Sequence, residues 1–201
     1  VSGRIVILNG APRAGKTSIA RAMQETLPGR WINLGVDNAM RTLPPALHPG
    51  IGLRPGGERP DLEPLLPALF VALYDSIAVH VRLGFDVVTD VGHHDSYSQP
   101  LGMLRACARR LDGLAVLFVG VRCPIDIIME RRNTGPDTGI YLRGSSVPEP
   151  VQRWQDAVHL PGIYDLEVDT GSMSAGQCAA LIGVTLHSPA QPSAFSKLAA
   201  S

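Results

Sequence analysis

The chain has 201 residues, 45% of them hydrophobic and 18% charged, and its 18 basic and 18 acidic side chains balance to zero. That length suits one globular α/β domain rather than two. A zero balance argues against a nucleic-acid coat or a polybasic membrane anchor, both of which need excess cation. Only two of the basic residues are lysine, Lys16 and Lys197, so where lysine occurs is informative. Cys107, Cys123 and Cys178 are odd in number and lack Cys-x-x-Cys spacing, which fits reduced thiols in a cytoplasmic protein and not a disulfide or zinc scaffold.

The elements follow in chain order. The apolar start has no basic region or cleavage site, so Ile5-Val-Ile-Leu8 reads as a buried strand and not as part of a signal peptide. Lys16 to Leu27 has helical spacing and stops at Pro28-Gly29. Trp31 to Val36 reads as a second strand, with a short helix after Asp37 ending before Pro44-Pro45. Residues 44–60 are rich in proline and glycine and read as a loop. Asp61 can cap a long helix reaching about Arg82; its apolar stretch, Leu62 to Val81, carries Asp75 and His80 and reads as a buried helix. No apolar stretch approaches the ~20 residues that span a bilayer, so no membrane partner is expected. Strands at Phe85–Val91, Leu114–Val121 and Leu166–Val168 alternate with helices at Gln99–Leu111, Pro124–Arg132, Glu149–Val158 and Ser174–Leu186. Asn133 to Ser146 is rich in Gly, Thr and Asp and reads as a mobile loop. Residues 188–201 are rich in Ser, Ala and Pro and are expected to be disordered. The alternation predicts an α/β fold of three layers, a five-stranded parallel sheet with helices on both faces.

Between the first strand and the first helix stands Gly10-Ala11-Pro12-Arg13-Ala14-Gly15-Lys16-Thr17, a match to the Walker A pattern G-x4-G-K-[ST], followed by Ser18. The glycines let backbone N–H groups turn inward around phosphate oxygens, and the following helix aims the positive end of its dipole at them. Lys16 is expected on the β- and γ-phosphates and the Thr17 hydroxyl on Mg²⁺. Arg13 can touch phosphate or stay solvated.

Asp90 ends the third strand, where a carboxylate can hold Mg²⁺ through water or simply cap a helix. Asp37 ends the second strand on the same rim, where it suits either a general base for a substrate hydroxyl or an N-cap. His93, His94 and Asp95 can line an acceptor site or a solvated loop, and no third ligand suggests a transition metal. Arg131 and Arg132, at the end of one helix, can stabilise a transferring phosphoryl group from a lid at about 131–147, or can complement the helix dipole. The residues do not separate the two arginines, and Arg143 is a weaker candidate.

With these motifs in place, the chain resembles the chloramphenicol phosphotransferases, P-loop kinases that phosphorylate a hydroxyl of the antibiotic. The resemblance rests on Ile7-Leu-Asn-Gly10, Ala14-Gly-Lys16, Leu27-Pro28, Gly35-Val-Asp37, Gly120-Val-Arg-Cys123 and Tyr164-Asp165 with Glu167-Val-Asp-Thr170. It implies a single P-loop kinase domain over residues 1–187 and Asp37 as general base. Two stretches depart from the family. The lid reads Arg131-Arg-Asn-Thr-Gly-Pro-Asp-Thr138, without the later arginines, and residues 41–75 do not match the family's acceptor segment.

The expected function is therefore transfer of the γ-phosphate of ATP, with Mg²⁺, to a small hydroxylated acceptor. Asp37, Lys16, Arg131 and Arg132 are the catalytic candidates, residues 10–18 bind nucleotide, and Thr17 and Asp90 hold the metal. The loop Gly171–Ser174 would contact adenine. The resemblance makes chloramphenicol the first acceptor candidate, and the 62–81 helix and the 44–60 loop would suit an aromatic, partly apolar ligand. The alternatives are a metabolite kinase of the shikimate or gluconate type and a non-catalytic nucleotide-binding module. The latter would call for a guanine-specifying Asn-Lys-x-Asp, which the chain lacks.

Overall fold

The structure is a computed structural model, and it describes residues 2–50, 58–134, 144–188 and 194–200. Five parallel strands form one sheet in the order β2-β3-β1-β4-β5: β1 Ile5–Asn9, β2 Trp31–Asn33, β3 Asp86–Val91, β4 Val116–Arg122 and β5 Leu166–Asp169. Helices connect them: α1 Lys16–Thr26, α2 Val36–Met40, α3 Leu66–Arg82, α4 Met103–Arg110, α5 Ile125–Thr134, α6 Glu149–Ala157, α7 Ala175–Leu186 and α8 Ala194–Ala200. The expected architecture is therefore found, a five-stranded parallel sheet with helices on both faces.

The central strands are apolar on both faces because both faces are covered. Val6 and Leu8 of β1 join Ile19 and Met23 of α1, Ile128 of α5 and Ile182 of α7 in one core. Ile5 and Ile7, whose side chains point the other way, join Phe70, Tyr74 and Ile77 of α3, Cys107 of α4 and Phe195 of α8 in the other. Among the described residues, Pro60–Arg82 is long and apolar enough to cross a membrane by length and composition, although the sequence suggested no such stretch. Its residues Phe70, Leu73, Tyr74, Ile77 and Val81 are buried against the sheet.

Three local expectations need correction. The second strand stops at Asn33 rather than Val36, because Gly35 turns the chain into α2; Asp37 lies in the first turn of that helix, and Gly35 takes the cap position. Asp61 does not cap the long helix: it accepts a two-pronged ion pair from Arg59 at 2.6–2.8 Å, and Pro60–Leu65 is a 3₁₀ turn before α3. Asp95 instead ties down the segment leading into α4, accepting from Leu101 and Gly102 N–H. The 188–201 tail is not wholly irregular, since 194–200 form α8 with Phe195 and Leu198 buried. Apolar residues spaced i, i+3 within this Ser/Ala-rich segment find a hydrophobic groove, and tertiary packing overrides composition. The 135–143 part of the expected lid, with Arg143, and residues 51–57 of the 44–60 loop lie outside the described residues.

Candidate active site

Parallel strands expose their carboxyl ends along one rim, and an α/β sheet binds ligands there. Residues 10–15 turn on that rim from β1 into α1. Gly15 has φ 89°, a conformation costly for any other residue, and Arg13 accepts φ 66° without being glycine. No side chain caps the start of α1, so its first N–H groups face outward toward any anion.

Lys16 curls back over this loop, and its Nζ donates to Gly10 O and Ala11 O, both at 2.8 Å. Burial pulls its ammonium down to about 8, while Asp90 and Asp37 oppose the shift. Both carboxylates therefore lie within electrostatic reach of the ammonium.

Asp90 stands in β3 beside Leu8 of β1, one residue before the strand leaves the sheet. It is buried, and its Oδ2 accepts from the Thr17 hydroxyl at 2.6 Å. A Cβ at residue 35 would overlap Asp90 Oδ1, so only glycine lets the backbone before Asp37 pass this carboxylate. The Gly35-Val-Asp37 motif thus has a steric reason.

These groups open into one cavity of about 740 Å³. One half is lined by Gly10, Pro12, Arg13, Lys16, Thr17 and Ser18, with Arg131, Thr134 and Thr170 above; Met173, Ser174 and Ala175 line the side where adenine contacts were expected. The other half begins at Asp37 and Met40 and runs past Leu66 and Phe70 to His94, Tyr97 and Trp154. Ala11 and Ala14 of the phosphate loop face the core instead.

The structure separates the two arginines. Arg131 lines the cavity and is held tightly: Nη1 donates to Thr170 Oγ1 at 3.0 Å and to Cys123 Sγ at 3.3 Å, and Nη2 donates to Thr170 O at 2.7 Å. Arg132 is buried on the far side of the loop, among Ala11, Pro12, Ile128, Val151 and Trp154, outside the cavity wall. Consecutive helical residues point about 100° apart, and the phase of α5 puts Arg131 on the cavity wall and Arg132 away from it.

The segment after β3 is divided in the same way. His94 lines the cavity, stacked on Tyr97 at 4.4 Å and edge-on to Trp154 at 4.4 Å, and burial holds its imidazole down to about 4. His93 turns inward to the Tyr74 hydroxyl at 2.7 Å. Asp95 accepts from the backbone of Leu101 and Gly102, as described above.

Sequence reasoning missed Trp154, Tyr97, Met40 and Thr170. Trp154 belongs to α6, whose sequence carries no motif, and nothing short of the fold brings it to β3. Thr170 did carry a signal, as the last residue of Glu167-Val-Asp-Thr170. Its hydroxyl donates to Ala14 O at 2.8 Å and accepts from Arg131, tying the end of β5 to the phosphate loop.

A parallel sheet with this loop, its lysine and a hydroxyl–carboxylate pair at the strand ends defines a phosphotransferase of the kinase type. The chain belongs to the chloramphenicol phosphotransferase-like protein family, whose profile matches residues 3–187. Two Mycobacterium tuberculosis proteins (strains CDC 1551 / Oshkosh and H37Rv), each named "Putative O-phosphotransferase", are 26% identical to it over 98% of this chain and 88% of their own length. Among solved structures, the tunicamycin resistance protein of Deinococcus radiodurans shares the fold at 18% identity and TM-score 0.64, covering 92% of this chain and 96% of that one. Shikimate kinase from Acinetobacter baumannii shares it at 16% identity and TM-score 0.55, covering 90% of each chain.

Proposed function

We propose that the protein transfers the γ-phosphate of ATP to a hydroxyl of a neutral, aromatic small molecule, with chloramphenicol as the first acceptor to test. The observation that carries this reading is the continuity of the cavity. The phosphate loop and Asp37 open into one space, and the wall beyond Asp37 is aromatic.

The loop amides and Lys16 would cradle the triphosphate, Lys16 exchanging its carbonyl partners for phosphate oxygens. Thr17 and Asp90 fit a hard divalent cation, because their oxygens already meet at 2.6 Å on the loop's open side. Mg²⁺ held there would neutralise phosphate charge as it develops. Asp37 is exposed on α2 and faces the acceptor half, where it would take the proton of the attacking hydroxyl. Arg131 would stabilise the equatorial oxygens of the transferred group.

The charges of the acceptor half favour a neutral ligand. Among the described residues, the arginines lining it, Arg59 and Arg153, are paired: Arg59 forks onto Asp61, and Arg153 binds Glu58 and, at 2.9 Å, Glu149. Asp37, Glu58 and Glu63 also line this half, and His94 stays neutral. Among the described residues, an acceptor bearing carboxylate or phosphate would meet acids there and arginines already paired, which favours a neutral acceptor over a shikimate-type metabolite. A flat ring can instead lie against Trp154, Tyr97 and Phe70.

The test is ADP release over a panel of hydroxylated antibiotics and metabolites, grouped by charge. Acceptor-dependent release with chloramphenicol or another neutral aromatic alcohol is the expected result. Release confined to anionic acceptors would overturn the acceptor class, and stoichiometric nucleotide binding without release would overturn transfer itself.

A further inference from the structure

The family profile ends at residue 187, yet α8 lies beyond it and is built into the fold. Phe195 meets Phe118 edge-to-face at 4.9 Å and lies parallel to Tyr74 at 6.3 Å. Ala194 N–H donates to Asp165 Oδ1 at 2.9 Å, while Asp165 Oδ2 accepts from Phe118 N–H at 2.9 Å. Seven residues cannot hold a helix by themselves, so these contacts hold α8 in place.

Tyr74, which Phe195 covers, is fully buried in α3. Its hydroxyl shares a hydrogen bond with His93 Nε2 at 2.7 Å. His93 is 1% exposed, its N–H donates to Asn9 Oδ1 at 2.7 Å, and its ring lies 4.9 Å from Phe70. Burial pushes the imidazole down to about 3, so the ring is neutral at any working pH. Its Nδ1 finds no hydrogen-bond partner among the described residues.

Two buried polar groups with one unsatisfied nitrogen make a poor stabilising device; an apolar pair would pack there without that penalty. The pair does govern position. His93 is flanked by Gly92 and His94, both on the cavity wall. A Cβ at Gly92 would overlap the Trp154 ring, and His94 sits between Tyr97 and Trp154. Moving His93 therefore moves the aromatic wall.

We propose that Tyr74 is a positioning residue for the acceptor half: its hydroxyl fixes His93, and thereby residues 92–97 against Trp154, while Phe195 of the C-terminal helix holds Tyr74 in place. This deepens the function proposed above and rests on it only for the kinetic readout.

The test uses the full chain carrying Trp31→Phe, which leaves Trp154 as the one tryptophan. Adding Tyr74→Phe removes a single hydroxyl. It should raise acrylamide quenching of Trp154 about twofold and acceptor KM about fivefold, the size of one lost hydrogen bond, with ATP KM and kcat within about twofold. Phe195→Ala should reproduce these changes, and Phe195→Leu should return toward the parent. A Tyr74→Phe protein with a lower Tm but parental quenching and acceptor KM would overturn the proposal, because a purely structural role predicts that pattern. If no acceptor is turned over, the proposed function fails while quenching still decides this inference: raised quenching supports it and parental quenching overturns it. If Phe195→Ala does not fold, the quenching and acceptor KM of Tyr74→Phe decide by themselves.

Discussion

The two halves of the cavity are made differently. The nucleotide half is mostly backbone, with nine consecutive residues, 10–18, setting its geometry through two unusual φ angles and an uncapped helix start. The acceptor half is mostly side chain, gathered from α2, α3, the segment after β3 and α6, which lie up to 118 residues apart, from Val36 to Trp154. A backbone cradle recognises a group common to every nucleotide and tolerates little change. A wall of side chains can be exchanged piecemeal, so specificity is located there.

That contrast is most exposed at Asp37, where the halves meet. Asp37→Asn keeps shape and removes the proposed base, so kcat should fall about 10²- to 10⁴-fold. ATP KM should stay within about twofold, because the phosphate loop is untouched. Single-turnover ADP release and nucleotide titration measure the two separately; near-normal turnover would remove Asp37 as the base.

The nucleotide half should also be the one that responds to pH. The Lys16 ammonium, drawn down to about 8, is charged below that pH and loses its proton as pH rises through it. Free enzyme thereby loses the cation proposed to meet the triphosphate. ATP KM should climb about tenfold per pH unit above pH 8, until the bound-state value of Lys16 is reached. Lys16→Met should bind ATP weakly at every pH with a flat profile across this range. A wild-type profile equally flat to pH 9.5 would show that the charge of Lys16 does not hold the nucleotide.

In the acceptor half, Trp154→Ala removes the largest face of the wall. Acceptor KM should rise about tenfold, in line with a lost aromatic contact, and ATP KM should not move. A comparable rise in ATP KM would mean that the two halves do not bind independently.

The same contrast explains what could be read beforehand. Strand and helix alternation, the phosphate loop and Asp90 were legible because each is a local pattern: an apolar run, a spacing, or a carboxylate at a strand end. Asp37 was placed on the rim where the structure has it, although its strand is shorter than its β-branched residues suggest, since the chain enters α2 at Gly35, where it passes too close to Asp90 of another strand to carry a side chain. Arg131 and Arg132 could not be told apart until the phase of α5 was known. Trp154 and Tyr97 were invisible as site residues because only tertiary packing brings α6 to the end of β3. The Ser/Ala-rich tail misled for the same reason, as its partners Tyr74 and Phe118 are far away in the chain.

Thr170 tests whether the nucleotide half is as purely backbone as it looks. Its hydroxyl both donates to a phosphate-loop carbonyl, Ala14 O, and accepts from Arg131. Valine has nearly the same volume but cannot do either, so Thr170→Val should lower kcat about threefold to tenfold, and Thr170→Ser should restore it. Combining Thr170→Val with Arg131→Ala distinguishes two causes. If Thr170 acts by aiming Arg131, the double variant should be little worse than Arg131→Ala alone, because groups that share one contact are not additive. If the losses multiply, the hydroxyl acts on the loop itself, and the cradle then depends on a side chain just after β5 as well as on its own nine residues.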